Sequence, residues 1–167
     1  CIRDSSNGRF TFVKSDIIGD TGAYASVGMK VLERAAGHAT GAYHVDAVEV
    51  RSRAVYTNNI PCGAMRGFGV NQINFAVESC VDELCEMGGF DRWQIRYDNA
   101  LTPGGMTSTG QVLQSGIGIR KTLEAVKDVF QQSRHAGIAC GIKNTGIGNG
   151  VPDLSLIHIS EPTRRST

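Results

Sequence analysis

The chain has 167 residues, 41% of them hydrophobic, enough for one domain with a core of its own. Charge is nearly balanced, 17 basic side chains against 16 acidic, without the basic excess or stripe of a nucleic-acid-binding surface. No apolar run is long enough to span a bilayer, and no signal peptide can be read, so the expectation is a cytoplasmic protein that meets neither nucleic acid nor membrane.

In chain order, residues 10–18 are rich in β-formers, and Gly19-Asp20-Thr21-Gly22 punctuates them. Residues 25–36 carry helix formers, with Val27, Val31 and Leu32 on one face. Gly37 weakens that pattern and Gly41 ends it. Residues 45–57 alternate apolar and polar, which predicts one bent strand or two short ones. A loop follows over residues 58–69. Ile73, Ala76, Val77, Cys80, Val81 and Leu84 then recur at helical spacing over residues 72–87, with Gly88-Gly89 as the stop.

Asp91 is placed to cap a short helix over residues 92–100. Pro103-Gly104-Gly105 reads as a turn. Residues 117–132 form a third good helix, with Leu123, Val126, Val129 and Phe130 facing inward, and residues 138–142 read as a strand entering the glycine-rich stretch 144–150. Strands interleaved with helices predict an α/β or α+β layer and exclude a bundle or a sandwich.

Five cysteines (Cys1, Cys62, Cys80, Cys85 and Cys140) make an odd count without framework spacing, so reduced thiols are expected rather than disulfides or a zinc site. From Leu154 the text Leu-Ser-Leu-Ile-His-Ile-Ser-Glu-Pro-Thr-Arg resembles the translation of a transposase-based sequencing adaptor. Residues 154–167 are therefore expected to be a non-native tail, residues 1–153 to be an internal piece of a longer domain, and His158 is set aside as a base.

Two glycine-rich stretches fail as nucleotide loops: no helical pattern follows Gly146-Ile-Gly148-Asn-Gly150, and residues 116–122 lack the needed glycines. Before Lys121-Thr122 a phosphate loop needs glycine, and Arg120 stands there; Lys121 takes the place of the third glycine of a dinucleotide fingerprint. Gly63-Ala-Met-Arg-Gly-Phe-Gly69 differs. Its glycines let the backbone approach a ligand and expose N–H groups, Arg66 and Phe68 offer charge and a stacking face, and a helix start follows. From the residues alone, a cofactor or anion loop stands beside a tight turn with Phe68 packed in the core.

Residues 63–72, Gly-Ala-Met-Arg-Gly-Phe-Gly-Val-Asn-Gln, closely resemble the Ala-Phe-Arg-Gly-Phe-Gly-x-x-Gln loop of xanthine dehydrogenases and aldehyde oxidases. Upstream, Glu33-Arg34-Ala35 is similar to the family's Glu-Arg-Ala segment, in register with Arg66 without a gap. The resemblance implies part of the molybdopterin-binding domain of the large subunit of a molybdenum hydroxylase. Such an enzyme hydroxylates an electron-poor carbon of a purine-like heterocycle or an aldehyde with water-derived oxygen, hydride passing to the molybdenum centre.

It further implies molybdenum–molybdopterin, in a plain or cytosine dinucleotide form, with selenium as an option. Iron–sulfur (2Fe-2S) and FAD partner modules, a small-molecule substrate and an oligomeric full-length protein come with it. Arg66 would sit at the molybdenum through its backbone amide, with Met65, Gly67 and Phe68 also at the cofactor. Phe68 would stack on substrate, and Arg34 would bind substrate and catalyse by stabilising negative charge that builds on it. The alternatives are an Arg34 surface ion pair with Glu33 and a Phe68 packed in the core. If the enzyme reading holds, Arg34 and Phe68 approach one buried cavity beside the Arg66 backbone. The rival is a non-catalytic phosphate- or nucleotide-binding module using residues 63–69, with Arg34 remote.

The chain departs from the family at Met65, where eukaryotic members carry Phe, and at Asn149, where purine-oxidising members place a second aromatic. Met65 and residues 144–150 look more like a bacterial selenium-dependent subgroup. The family's glutamate base and a further cofactor loop are expected outside this chain.

Overall fold

The structure, a computed structural model, describes residues 2–143. The expected tail, the stretch 144–150 and Asn149 lie outside the described residues.

A three-stranded sheet runs β1 (Ile2–Asp4), β2 (Phe10–Gly22), β3 (Ala47–Tyr56), with β1 antiparallel and β3 parallel to β2. A parallel neighbour needs a crossover, and helix α1 (Gly28–Ala36) lies within it, packed on both β2 and β3. Helices α2 (Val70–Gly88), α3 (Arg92–Asn99) and α4 (Ile119–Gln132) follow. Strands and helices therefore alternate as expected at the start and give way to helices at the end.

The core lies between β2, α1 and α2. Phe10 meets Tyr43 edge-on, ring centroids 5.4 Å apart, and Val13, Ala35, Ile73, Val77 and Val81 close around them. The outer face of the sheet carries cross-strand ion pairs Lys14–Glu49 and Asp16–Arg53, with Ile18 exposed beside them. Position 91 behaves as its type predicts: the Asp91 carboxylate accepts from Gln94 N–H at 2.7 Å.

Several elements differ from expectation. The first long strand continues through Gly19 to Gly22, because β3 supplies ladder partners as far as Tyr56. Helix α1 starts later, at Gly28, which lies so close to Thr21 that a Cβ there would meet its methyl at 2.7 Å. It also stops at Ala36, before Gly37. On α4 only Leu123 is buried; Val126 and Val129 are 45% and 71% exposed, since the helix shows α3 a narrow stripe. Residues 138–142 join no ladder among the described residues. Ile138 and Cys140 pack into the second core cluster instead.

A buried polar network ties α2 to α3. Arg96 has a fully buried side chain and donates through Nε to Glu78 at 2.8 Å and through Nη2 to Asp82 at 2.8 Å. The other oxygen of Glu78 accepts from the Tyr43 hydroxyl. Burial and then the charge of Glu78 push the Tyr43 hydroxyl far above its ordinary range, so it stays a donor. Asn99 stitches the start of β2, accepting from Phe10 N–H and donating to the carbonyls of Gly8 and Ile95.

Candidate functional site

The loop over residues 57–69 leaves β3 and ends at the first turn of α2. Its early part is laced to the end of β2. Thr57 N–H donates to Gly22 O, Ala23 N–H to Asn59 O and Cys62 N–H to Thr21 O, each at 3.1 Å. The Asp20 carboxylate accepts from Gly22 N–H at 2.7 Å, from the Thr57 hydroxyl at 2.7 Å and from the Asn59 carboxamide. These donors, Thr57 first, then Asn59 and Gly22, hold the Asp20 carboxyl below its ordinary value.

The far end of the loop is held by backbone shape. Gly67, Phe68 and Gly69 have φ of 94°, 51° and 92°. Phe68 is the only non-glycine residue with positive φ among those described. That conformation costs an L-residue about 1–2 kcal/mol, and it persists where the surroundings over-determine it, often at functional sites. Here Phe68 N–H donates to Met65 O at 2.8 Å and the Asn71 side chain donates to Arg66 O at 2.8 Å.

Between these anchors the loop is open. Among the described residues, the N–H groups from Gly63 to Gly67 meet no acceptor. Open amides beside the start of a 19-residue helix make a positive, oxygen-seeking edge.

A cavity of about 630 Å³ lies between β2, α1 and this loop, within the range of small-molecule pockets. Ile17, Leu32 and Ile73 make it apolar, and Gly63, Met65 and Gly69 bring the loop to it. The residues singled out from the sequence are distributed around it unevenly. Met65 lines it and is 61% exposed. Arg66 is exposed, and Gly67 is half-buried in the turn.

Phe68 is half-buried, and among the described residues it belongs to neither core cluster and does not line the cavity. Arg34 does not line it either. Its side chain is buried in the last turn of α1, while Glu33 pairs with Lys30, so the surface ion pair with Glu33 is overturned. The expected convergence of Arg34 and Phe68 on the cavity is thus not seen. Geometry alone leaves the phosphate-module rival standing.

The decision comes from comparison with known proteins. Residues 5–100, more than half the chain, match the family model described as molybdopterin cofactor-binding domain. The chain belongs to that family.

The nicotinate dehydrogenase large molybdopterin subunit of Eubacterium barkeri is 42% identical over 124 residues, 74% of this chain and 29% of that protein. The xanthine dehydrogenase molybdenum-binding subunit of Escherichia coli O157:H7 is 34% identical over 117 residues, 70% of this chain and 15% of its own length. Among solved structures, the aldehyde oxidoreductase of Desulfovibrio gigas superposes with a TM-score of 0.74 at 28% identity, covering 78% of this chain and 14% of that one. This molybdopterin cofactor-binding domain therefore spans less than a third of the relatives it matches. The match decides against the phosphate module, and the fold is that of part of a molybdopterin-binding domain.

The residues present fit such a cofactor. A pterin and its phosphate carry oxygen acceptors, and the loop offers unpartnered amides from Gly63 to Gly67. Next to them a Cβ at Gly63 would meet nothing within 4 Å, so the loop surface is open there. Among the described residues no cluster of His, Cys, Asp or Glu could hold a metal ion directly, and no helix is long and apolar enough to cross a membrane. Cys62, Cys80, Cys85 and Cys140 are free thiols.

Sequence reasoning missed the Asp20 clasp, the Arg96 network and the buried His38. Asp20-Thr21-Gly22 carries a legible signal, since an aspartate two residues before a glycine is the pattern of an Asx turn. Arg96 and His38 carry none.

Proposed function

We propose that this chain is the part of a molybdenum hydroxylase large subunit that grips the cofactor and borders the substrate. The reaction converts an aromatic or aldehyde C–H and water into C–OH, two protons and two electrons. The observation that carries this reading is the loop over residues 63–69, pinned at both ends with its amides open, in a chain of the molybdopterin-binding family.

The bound molybdenum centre supplies the activated oxygen and takes up the two electrons. In this reading the backbone of Met65, Arg66 and Gly67 would hold the cofactor, with the Arg66 amide serving the molybdenum site. Phe68, held out of the core in a left-handed turn, stacks on a flat substrate. The buried Arg34 guanidinium stabilises negative charge that develops on the substrate. The family's cytosine dinucleotide form and a selenium ligand extend the proposal, as do 2Fe-2S and FAD modules that carry the electrons away. Its setting is a cytoplasmic oligomer, with residues 1–153 native and 154–167 a foreign tail.

The Eubacterium barkeri relative is named for nicotinate, which makes pyridine-type heterocycles the first substrate class, ahead of purines and aldehydes. The test is to express the intact gene and measure molybdenum, pterin and selenium per polypeptide. Incorporation of labelled water oxygen into nicotinate, xanthine and an aldehyde is then followed. Pterin-loaded protein that hydroxylates one of them is expected; protein without pterin or molybdenum overturns the reading.

A further inference from the structure

The ladder between β2 and β3 breaks register between Asp20 and Gly22: Asp20 pairs with Val55 and Gly22 with Tyr56, leaving Thr21 as an extra residue. Bulges are rare in parallel pairs, and they re-aim side chains beside functional sites. Asp20 is the last regularly paired residue before this one and stands beside the start of the loop. Its two carboxylate oxygens collect three donors, from Gly22 N–H, Thr57 Oγ1 and Asn59 Nδ2, so they join the ends of both strands to the start of the loop.

Gly22, with φ of 76°, completes the clasp. A Cβ there would lie 2.5 Å from Ile60 O and 2.6 Å from the Pro61 α-carbon, so the loop rests directly on this backbone. The next fixed point is Cys62 N–H on Thr21 O, immediately before the open amides begin at Gly63. Asp20 also lines the cavity that the loop borders.

We propose that Asp20 is the positioning residue of the cofactor-binding loop, its carboxylate setting where the amides of residues 63–67 stand. This rests on the molybdopterin reading above. An ionised Asp accepts from all three donors at once, whereas Asn at position 20 presents one acceptor and one donor group, so the Asn59 carboxamide must turn over to meet it. Asp20→Asn therefore removes the charge that strengthens all three bonds and makes the third depend on reversal of the Asn59 carboxamide. Exchanging the pair, Asp20→Asn with Asn59→Asp, lets the carboxamide at position 20 keep Gly22 and Thr57 on its oxygen and donate to the carboxylate at position 59.

The experiment uses the intact protein in three forms: unaltered, Asp20→Asn, and the Asp20→Asn/Asn59→Asp exchange. Pterin and molybdenum per polypeptide are measured after extensive dialysis, together with the unfolding midpoint. The expected result is about a tenfold fall in retained cofactor for Asp20→Asn, the scale of supporting residues around a bound metal, with the midpoint little changed. The exchange should recover most of the loss. Equal cofactor in the unaltered and Asp20→Asn proteins, or no recovery in the exchange, overturns the positioning role while leaving the molybdopterin reading intact. Unaltered protein that holds no pterin overturns both. Should Asp20→Asn fail to fold, Thr57→Val removes a single donor in its place: a several-fold loss of cofactor supports the role, and unchanged content overturns it.

Discussion

Gly69 rests against the main-chain carbonyl of Val31, so closely that a Cβ at position 69 would lie 2.2 Å from that oxygen. The contact joins the end of the loop over residues 57–69 to helix α1, the helix that carries Arg34. It also explains why glycine is required twice over, by the contact and by a φ of 92°.

Gly69→Ala is accordingly expected to destabilise the chain by roughly 2–3 kcal/mol, combining left-handed strain with displacement of the α2 start from α1. Denaturant unfolding measures this. A change below about 0.5 kcal/mol, the range of ordinary surface substitutions, would show that the two segments separate freely.

Phe68 has the same backbone problem without glycine's freedom. Phe68→Gly removes left-handed strain worth about 1–2 kcal/mol and a side chain that neither core cluster uses. Stability should hold or rise, while kcat/KM on a flat heterocycle in the intact enzyme falls about threefold to tenfold, the scale of one aromatic stacking contact. A large loss of stability with unchanged turnover would make Phe68 a packing residue.

Arg96→Met would leave the carboxylate of Glu78 buried with the Tyr43 hydroxyl alone. Breaking a buried pair from one side costs about 3–5 kcal/mol, and calorimetric unfolding should register it. Adding Glu78→Leu should restore part of the loss, because the orphaned charge goes with it. A double variant no more stable than Arg96→Met would refute that account.

His38 is buried at the end of α1, its Nδ1–H donating to Arg34 O at 2.8 Å. Burial lowers its pKa from 6.5 against the opposing effect of that hydrogen bond, and the charges of Arg34 and Lys143 lower it further. The unfolded chain therefore binds the proton more readily. Stability is fully present above about pH 6.5 and falls as pH drops from there through the lowered folded value. A pH series of unfolding free energies should show this slope, and His38→Gln should flatten it. An identical slope in both proteins would place its origin elsewhere, in the carboxylates.

The family and most of the elements are written locally in the chain. Residues 63–69 and Glu33-Arg34-Ala35 are short strings whose glycines and arginines are read without any fold, and helical spacing over α2 follows from neighbours three and four apart. The Asp91 cap was legible for the same reason, since its partner lies three residues away.

Features that depend on residues distant in the chain were settled only by the fold. The strand after Phe10 reaches Gly22 because β3 lies beside it, while residues 138–142, with similar composition, find no ladder among the described residues. Val126 and Val129 stay exposed because nothing among the described residues covers that side of α4. Arg34 is buried while Glu33 turns to Lys30, and no local pattern separates those neighbours. The Asp20 clasp is the clearest case. Its donors come from Gly22, Thr57 and Asn59, two of them over thirty positions away, and the parallel ladder of β2 with β3 brings them to the same carboxylate.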